Sequence, residues 1–159
     1  MSAHDELLGP QLARHVAKYN ESHRNAVNRA LHFAGIPLAA IATLGLLSRA
    51  AWPAFDVQPW LQPNLAMVVL AVAGGRYLWC NLLAGLILLA TGTAGYVLAT
   101  QLPPAWLLGM AVASVVCHYI GHYGFEGKPP QLLTRPVAVI EAPVWLMAMF
   151  VGLRPSSRA

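Results

Sequence analysis

The sequence predicts an all-α protein, a polytopic transmembrane helical bundle with about five membrane segments and an N-terminal surface helix. Of its 159 residues, 57% are hydrophobic and only 10% are charged, whereas soluble domains carry roughly 25% charged residues. The mean hydropathy of +0.54 agrees with this contrast. A chain of this length favours one integral membrane domain over residues 1–159, with no separate regulatory module.

The N-terminal region predicts a surface helix followed by the start of a second helix. Within residues 5–19, four apolar side chains recur at helical spacing: Leu8, Leu12, Val16 and Tyr19. This pattern is typical of an amphipathic helix lying on a membrane surface. Ser22 is then a candidate N-cap. In the helix that it would start, Asn25, Asn28 and His32 are spaced by three and four residues and share one face.

Five apolar stretches follow, and we interpret each as a membrane segment. They are residues 31–48, 63–75, 77–102, 105–123 and 136–153. A helix needs about 20 residues to cross the hydrocarbon core, and the second stretch has 13. Whether this short segment crosses decides which later residues lie on the same side of the membrane.

The histidines and the positive charges both favour counting the short segment as a crossing, one that is short, tilted or re-entrant. His32 opens the first span and His122 closes the span at 105–123, so a shared site requires an even number of crossings between them. Five spans meet this condition and place seven Lys and Arg residues on the N-terminal side against three on the other. Positive residues are enriched in cytoplasmic loops. We therefore expect an integral protein of a bacterial inner membrane, or of the ER membrane in a eukaryote, with its site at the cytoplasmic face.

The end of the span at 105–123 carries the residues that point most directly to chemistry. His118 and His122 are four residues apart and so lie on one face of a helix, about one turn apart. Imidazoles at the end of an apolar helix favour metal binding or proton relay. Glu126 and Lys128 follow in a turn rich in Gly and Pro, and we interpret them as candidate catalytic residues.

The candidate metal ligands are His32, His118 and His122, with His23 as a fourth. Iron, zinc and copper all accept imidazole nitrogen, and an oxygen-using Fe(II) site needs open positions beside its protein ligands. His23 and His32 are nine residues apart, which is about 900° along a helix and therefore half a turn out of phase. Either the helix begins after His23, which is then free to turn back, or His23 is not a ligand.

Three further polar residues are assigned supporting roles. Asn25 and Asn28 are interpreted as hydrogen-bonding residues around the ligands, because an amide oxygen is a weak donor to iron. Glu141 lies near the start of the last apolar stretch, where an unpaired carboxylate would be costly. We expect it to pair with Arg135 or to hold a ligand histidine through the second nitrogen of its ring.

Two motifs resemble the paired signatures of a small membrane family: YNESHRNAVNRALHFAGIP at residues 19–37 and HYIGHYGFEGKPP at residues 118–130. The fungal member of this family is an iron-dependent 2-hydroxy-fatty-acid dioxygenase of phytosphingosine degradation, acting in fatty acid α-oxidation. The similarity extends from Tyr19 to about Phe150. His118 departs from the family pattern, in which Gln is expected, and an inserted Tyr-Gly-Phe run lengthens the step from His122 to Glu126.

The resemblance implies Fe2+ as cofactor and two substrates, O2 and a long-chain 2-hydroxy fatty acid that is shortened by one carbon. It also implies functional roles for the matching positions: His23, Asn25, Asn28, His32, Gly121, His122, Glu126, Lys128 and Pro129. The residues suit such a substrate. Its acyl chain would lie among the spans and the membrane lipid, while an iron held by histidines chelates the carboxylate and the 2-hydroxyl. Lys128, Arg24 or Arg29 could hold the carboxylate.

Two other functions remain open on the sequence. A haem-binding electron carrier could use His32 with His118 or His122 as axial ligands. A non-catalytic lipid-binding membrane protein would use its histidines only for hydrogen bonds. The 10 Lys and Arg residues form no basic block, so no nucleic-acid partner is expected, and the oligomeric state is left open.

Overall fold

The computed structural model describes residues 3–50, 62–130 and 138–150, and the regular elements within these ranges are helices. In chain order they are α1 (Ala3–Glu21), α2 (Ala26–Ser48), α3 (Leu65–Cys80), α4 (Leu82–Gln101), α5 (Pro104–Tyr119), a π-helical segment (Ile120–Glu126) and α6 (Ala138–Phe150). The predicted all-α class is confirmed. The π-helical segment continues α5 directly, and its wider turn contains the Tyr-Gly-Phe run between His122 and Glu126.

Three of the described helices are long and apolar enough to cross a membrane: Ala26–Ser48, Leu82–Gln101 and Pro104–Glu126, the last being α5 with its π-helical extension. The apolar helix α3 and the segment Glu141–Phe150 of α6 are shorter. α3 has 16 residues, below the number of about 20 that a perpendicular span needs. The described residues are therefore compatible with a membrane protein with three candidate spans, and the predicted five are not reproduced.

The predicted boundary between the second and third apolar stretches was wrong. α3 continues to Cys80 instead of ending at Gly75, and α4 begins at Leu82 instead of Tyr77. Asn81 separates the two helices with an extended backbone, and its side chain accepts a hydrogen bond from a backbone N–H in the first turn of α4. One capping residue thus ends a helix and starts the next, which hydropathy averaged over an apolar region does not resolve.

The predicted N-terminal helix is present, and its apolar stripe packs against α6. Leu12, Val16 and Tyr19 are buried in one cluster with Trp145 and other residues of α6. The apolar side chains of the two helices therefore pack closely against one another in this cluster. In consequence α1 covers the end of the bundle that carries the histidines.

Close contacts at glycines give the directions of the helices. The contacting pairs are Gly74 with Leu89 and Gly85 with Leu78 between α3 and α4, and Gly35 with His118 and Gly45 with Leu107 between α2 and α5. Within each helix pair the residue numbers rise along one helix as they fall along the other, so the helices are antiparallel. The start of α2 and the end of α5 therefore lie at the same end of the bundle.

Candidate metal centre

Three histidines from separate parts of the chain meet where α2 begins. His23 lies in the turn between α1 and α2, His32 lies in α2, and His122 lies in the π-helical segment. One ring nitrogen of each lies within 4.8 Å of one ring nitrogen of the other two. Their exposed fractions are 1%, 0% and 2%, respectively. They form a buried group of donors that could hold a metal ion.

The backbone sets the tautomer of two of these rings. Nδ1 of His23 lies 2.7 Å from the carbonyl oxygen of Tyr19, and Nδ1 of His32 lies 2.9 Å from that of Asn28. A carbonyl oxygen only accepts hydrogen bonds, so each Nδ1 carries the hydrogen and donates it. Each Nε2 is then left with a free lone pair, which is the form of imidazole that binds metals.

One buried ring nitrogen of each of these histidines has no hydrogen-bond partner. Nε2 of His23, Nε2 of His32 and Nδ1 of His122 are all sealed from solvent and unpaired. Burying such a polar atom without a partner is costly. An ion with metal–nitrogen bonds of about 2.0–2.1 Å would satisfy all three. The donor set therefore fits a metal ion better than it fits a packed protein interior.

His118 lies beside this group as a further donor. Its ring centroid is 4.4 Å from that of His32, and its Nδ1 donates to the carbonyl oxygen of Ser114 at 2.7 Å. Its Nε2 therefore also keeps a free lone pair. Gly35 makes this approach possible, because a Cβ there would lie 2.8 Å from Cε1 of His118. The structure thus brings all four predicted ligands to one place, with His23, His32 and His122 as the tightest set.

The turn before α2 explains how His23 reaches the group. Asn25 is the N-cap of α2, and its side chain accepts a hydrogen bond from the backbone N–H of Val27 at 2.8 Å. The helix thus begins after His23, as the first of the two sequence alternatives requires. The predicted cap Ser22 was wrong: its hydroxyl instead donates to the carbonyl oxygen of Tyr19 at 2.9 Å.

Aromatic side chains shield the group on the side of α1 and α6. The ring of Tyr19 stacks on that of His23 with centroids 4.1 Å apart and an interplanar angle of 2°, and Trp145 lies 5.4 Å from His23. The Trp145 indole is fully buried, and its N–H donates to Asn20 Oδ1 at 2.6 Å. Sequence reasoning missed these residues because they resemble ordinary packing residues of apolar stripes.

This burial keeps His23 in the form that can bind a metal. It lowers the pKa of His23 from 6.5 to about 4, although the hydrogen bond to the Tyr19 carbonyl acts in the opposite direction. The imidazole is therefore neutral at pH 7. Protons compete with a metal ion for its Nε2 only when the pH falls towards this pKa of about 4.

Glu126 joins the π-helical segment to the start of α2. Its Oε1 accepts hydrogen bonds from the backbone N–H of Asn25 at 2.7 Å and from Nδ2 of Asn28 at 3.1 Å. Asn28 is fully buried, and the carbonyl oxygen of the same residue holds His32. A carboxylate that accepts two hydrogen bonds from α2 therefore fixes His122 relative to His32. The candidate catalytic Glu126 thus has a positioning contact in this structure.

Replacing Glu126 is expected to weaken metal binding, by an amount that depends on the replacing residue. Glu126→Gln keeps an oxygen acceptor but loses the charge, whereas Glu126→Ala loses both hydrogen bonds, each worth about 1.5–3 kcal/mol when one partner is charged. We expect metal affinity to fall modestly in the first variant and by about tenfold or more in the second. Anaerobic Co(II) titration followed by visible absorption measures this. Equal affinities in both variants and the wild type would contradict the positioning role.

Lys128, predicted as a catalytic residue, and Glu141, predicted as a supporting residue, lie outside the histidine group. Lys128 is exposed, and its backbone N–H donates to the carbonyl oxygen of His122 at 3.3 Å. Gly127 allows this chain reversal because its φ of 63° lies in the left-handed region. Glu141 is buried, and its Oε1 lies 2.7 Å from Nδ1 of His15. That contact ties α6 to α1 instead of holding a ligand histidine, and Arg135 lies outside the described residues.

The arrangement of the rings does not suit a haem. Two axial imidazoles must approach a flat macrocycle from opposite faces. The rings of His32 and His118 are instead edge to face with centroids 4.4 Å apart, and those of His32 and His122 lie 4.9 Å apart at 89°. A macrocycle does not fit between them, whereas a single ion does.

Fold and site together define an all-helical protein with candidate membrane helices and a buried histidine group able to hold a metal ion. A family model described as 2-hydroxy-palmitic acid dioxygenase Mpo1-like matches residues 10–154. The chain therefore belongs to the Mpo1-like family, as the two sequence motifs predicted. No curated protein and no solved structure shows significant similarity to it.

Proposed function

We propose that this protein is a non-haem Fe(II)-dependent dioxygenase of α-oxidation that shortens long-chain 2-hydroxy fatty acids by one carbon. The observation that carries the proposal is the set of three sealed, unpaired ring nitrogens on His23, His32 and His122. Its family model, whose description names a 2-hydroxy-palmitic acid dioxygenase, supplies the reaction class. The unpaired nitrogens explain why such a protein needs a metal.

In this proposal the protein's own side chains bind the metal ion, and its backbone orients the histidine rings. His23, His32 and His122 hold Fe2+, and His118 is the adjacent fourth donor. When bound, the iron supplies a centre at which O2 and the two oxygens of a 2-hydroxy acid come together. In His23 and His32, backbone carbonyls keep the hydrogen on Nδ1, so that Nε2 of each ring stays unprotonated.

The substrate enters with its polar end towards the histidines. Lys128 is exposed just beyond the π-helical segment, where its ammonium group can pair with the carboxylate of an incoming acid. The acyl chain remains in the apolar region of the bundle and the surrounding lipid. In this arrangement the centre lies at the cytoplasmic face of the membrane, where the positive residues are concentrated, and α3 completes a short crossing in a five-segment topology.

The proposed activity is tested directly with purified protein. After anaerobic loading with Fe(II), exposure to air in the presence of 2-hydroxyhexadecanoic acid is expected to give an acid one carbon shorter, detected by mass spectrometry. Hexadecanoic acid is expected to give no product, because without the 2-hydroxyl the acid cannot form a chelate through one carboxylate oxygen and the hydroxyl oxygen. His122→Gln is the matched inactive control.

Two results would contradict the proposal. One is a strong Soret band in the purified protein, which identifies a haem. The other is the absence of a shortened product from Fe(II)-loaded wild type with 2-hydroxy acids of several chain lengths. The second result would favour the alternative function, that of a non-catalytic lipid-binding membrane protein.

A further inference from the structure

His118 differs from the other three histidines of the candidate metal centre in its access to solvent. His23, His32 and His122 are buried, whereas His118 is partly exposed. The sealed, unpaired polar atoms of the described residues include one ring nitrogen of each buried histidine but no nitrogen of His118. Of the four rings, His118 therefore offers the nitrogen that an incoming molecule can reach.

His118 also lies outside the tightest set of ring nitrogens. Among the described residues, the group whose nitrogens all lie within 4.8 Å of one another consists of His23, His32 and His122. The ring of His118 is nevertheless adjacent, with its centroid 4.4 Å from that of His32. It can thus contact a molecule that binds at the centre, while three other rings provide the nitrogen ligands.

The hydrogen bonds of His118 determine what its ring can bind. Nδ1 donates to the carbonyl oxygen of Ser114 at 2.7 Å, and the Ser114 hydroxyl oxygen is farther away at 3.4 Å. Gly35 of α2 lies against the same edge of the ring, where an added Cβ would be 2.8 Å from Cε1. In the neutral ring, Nε2 is therefore an acceptor and not a donor.

An acceptor of this kind distinguishes between the two polar groups of a 2-hydroxy acid. At pH 7 the carboxylate has lost its hydrogen and only accepts hydrogen bonds. The 2-hydroxyl still has a hydrogen to donate, and a hydroxyl that leaves water without finding an acceptor is costly. Nε2 of His118 therefore suits the hydroxyl and does not suit the carboxylate.

The number of ligands that iron can hold agrees with this division of roles. An iron ion accommodates roughly six ligands, and an oxygen-using site needs some of these positions open. Three histidine nitrogens, two substrate oxygens and O2 fill them. A fourth histidine on the ion would leave no position for O2, whereas a fourth histidine beside the ion can bind the substrate.

We propose that His118 accepts a hydrogen bond from the 2-hydroxyl of the substrate and thereby selects 2-hydroxy acids over acids without this hydroxyl. This inference rests on the proposed function for the identity of the substrate. It makes His118 a specificity-determining residue and leaves the metal ion to His23, His32 and His122.

Two substitutions of similar size separate the acceptor from the volume of the ring. His118→Leu removes the acceptor, and His118→Gln keeps one in its amide oxygen. Binding of 2-hydroxyhexadecanoic acid and of hexadecanoic acid is measured on Co(II)-loaded protein without O2. We expect the preference for the hydroxy acid to fall about three- to tenfold in His118→Leu, as for the loss of one hydrogen bond, and to stay within about twofold of wild type in His118→Gln. The affinity for hexadecanoic acid is expected to stay unchanged in both variants.

The Co(II) affinity of the same variants tests whether His118 binds the ion instead. We expect both variants to keep the Co(II) affinity and the visible spectrum of the wild type. A loss of affinity above about 100-fold in either variant, as for a ligand, would identify His118 as a metal ligand. Equal weakening of both acids would show that the ring only shapes the site. Either result, or a wild type without preference for the hydroxy acid, overturns the proposal.

The two proposals fail separately. A hydroxyl preference that is lost in His118→Leu, without a shortened product from the Fe(II)-loaded wild type, leaves the role of His118 intact and refutes the dioxygenase. A shortened product from the wild type, with the same hydroxyl preference in wild type and His118→Leu, refutes the role of His118 alone.

Discussion

Replacing His32 by Gln is expected to abolish tight metal binding and, with it, the dioxygenase activity. His32 is fully buried, its Nε2 has no hydrogen-bond partner, and its ring centroid lies 4.3 Å from that of His23 and 4.9 Å from that of His122. It is therefore central to the histidine group. Loss of residues that only support ligands costs about 10–100-fold in affinity, so loss of a ligand should exceed about 100-fold.

The measurement is Fe(II) content after purification together with an anaerobic Co(II) titration. His15→Gln is the matched control, because His15 is a half-exposed histidine that contacts Glu141 and lies outside the metal-facing group. It should retain the metal fully. Stoichiometric iron in folded His32→Gln would refute the proposed centre, whereas equal metal loss in both variants would show that binding is non-specific.

Replacing Gly121 by Ala is expected to damage the centre without touching a ligand. A Cβ at this position would overlap Oδ1 of Asn28 and lie 3.5 Å from Cε1 of His32. Asn28 cannot swing aside easily, because it is fully buried and its Nδ2 donates to Glu126. Overpacking of this kind costs about 1–3 kcal/mol. The strain falls on the contact that aligns His122 with His32, so we expect metal affinity to fall by about tenfold or more.

Gly124→Ala provides the control in the same π-helical segment. A Cβ at Gly124 meets only Cγ2 of Ile120 at 3.9 Å, an ordinary contact. Thermal unfolding and Co(II) affinity measured for both variants separate a local effect from a general sensitivity of the helix. Unchanged affinity in Gly121→Ala would show that the π-helical segment moves freely on α2, contrary to the role assigned to Asn28 and Glu126.

The sequence predicted most of the composition of the site but little of its internal geometry. The spacing of His118 and His122 placed both on one helical face, and a shared metal site was the premise that put His32 at the same end of the bundle. Asn25 and Asn28 lie beside Glu126, close to the predicted ligands. In contrast, Glu141 contacts His15, because which carboxylate meets which histidine depends on how α1 packs on α6.

Whether His23 belongs to the candidate metal-binding group also could not be decided without the structure. Helical spacing alone leaves His23 half a turn out of phase with His32, and only the capped turn at Asn25 shows that His23 can face back into the group. Likewise, the π-helical segment that carries His122 has no signature in hydropathy. Within this segment Gly121 lies directly against Asn28, a residue far away in the chain.

By itself the sequence determined the helical class, the two histidine motifs and the family, because hydropathy and spacing are properties of short stretches of chain. The tertiary structure decided which ring nitrogens are left without partners and which aromatic rings cover them. It also decided that α3 and α4 separate at Asn81. These features arise when distant segments pack, and the free energy of that packing depends on contacts that no local pattern encodes.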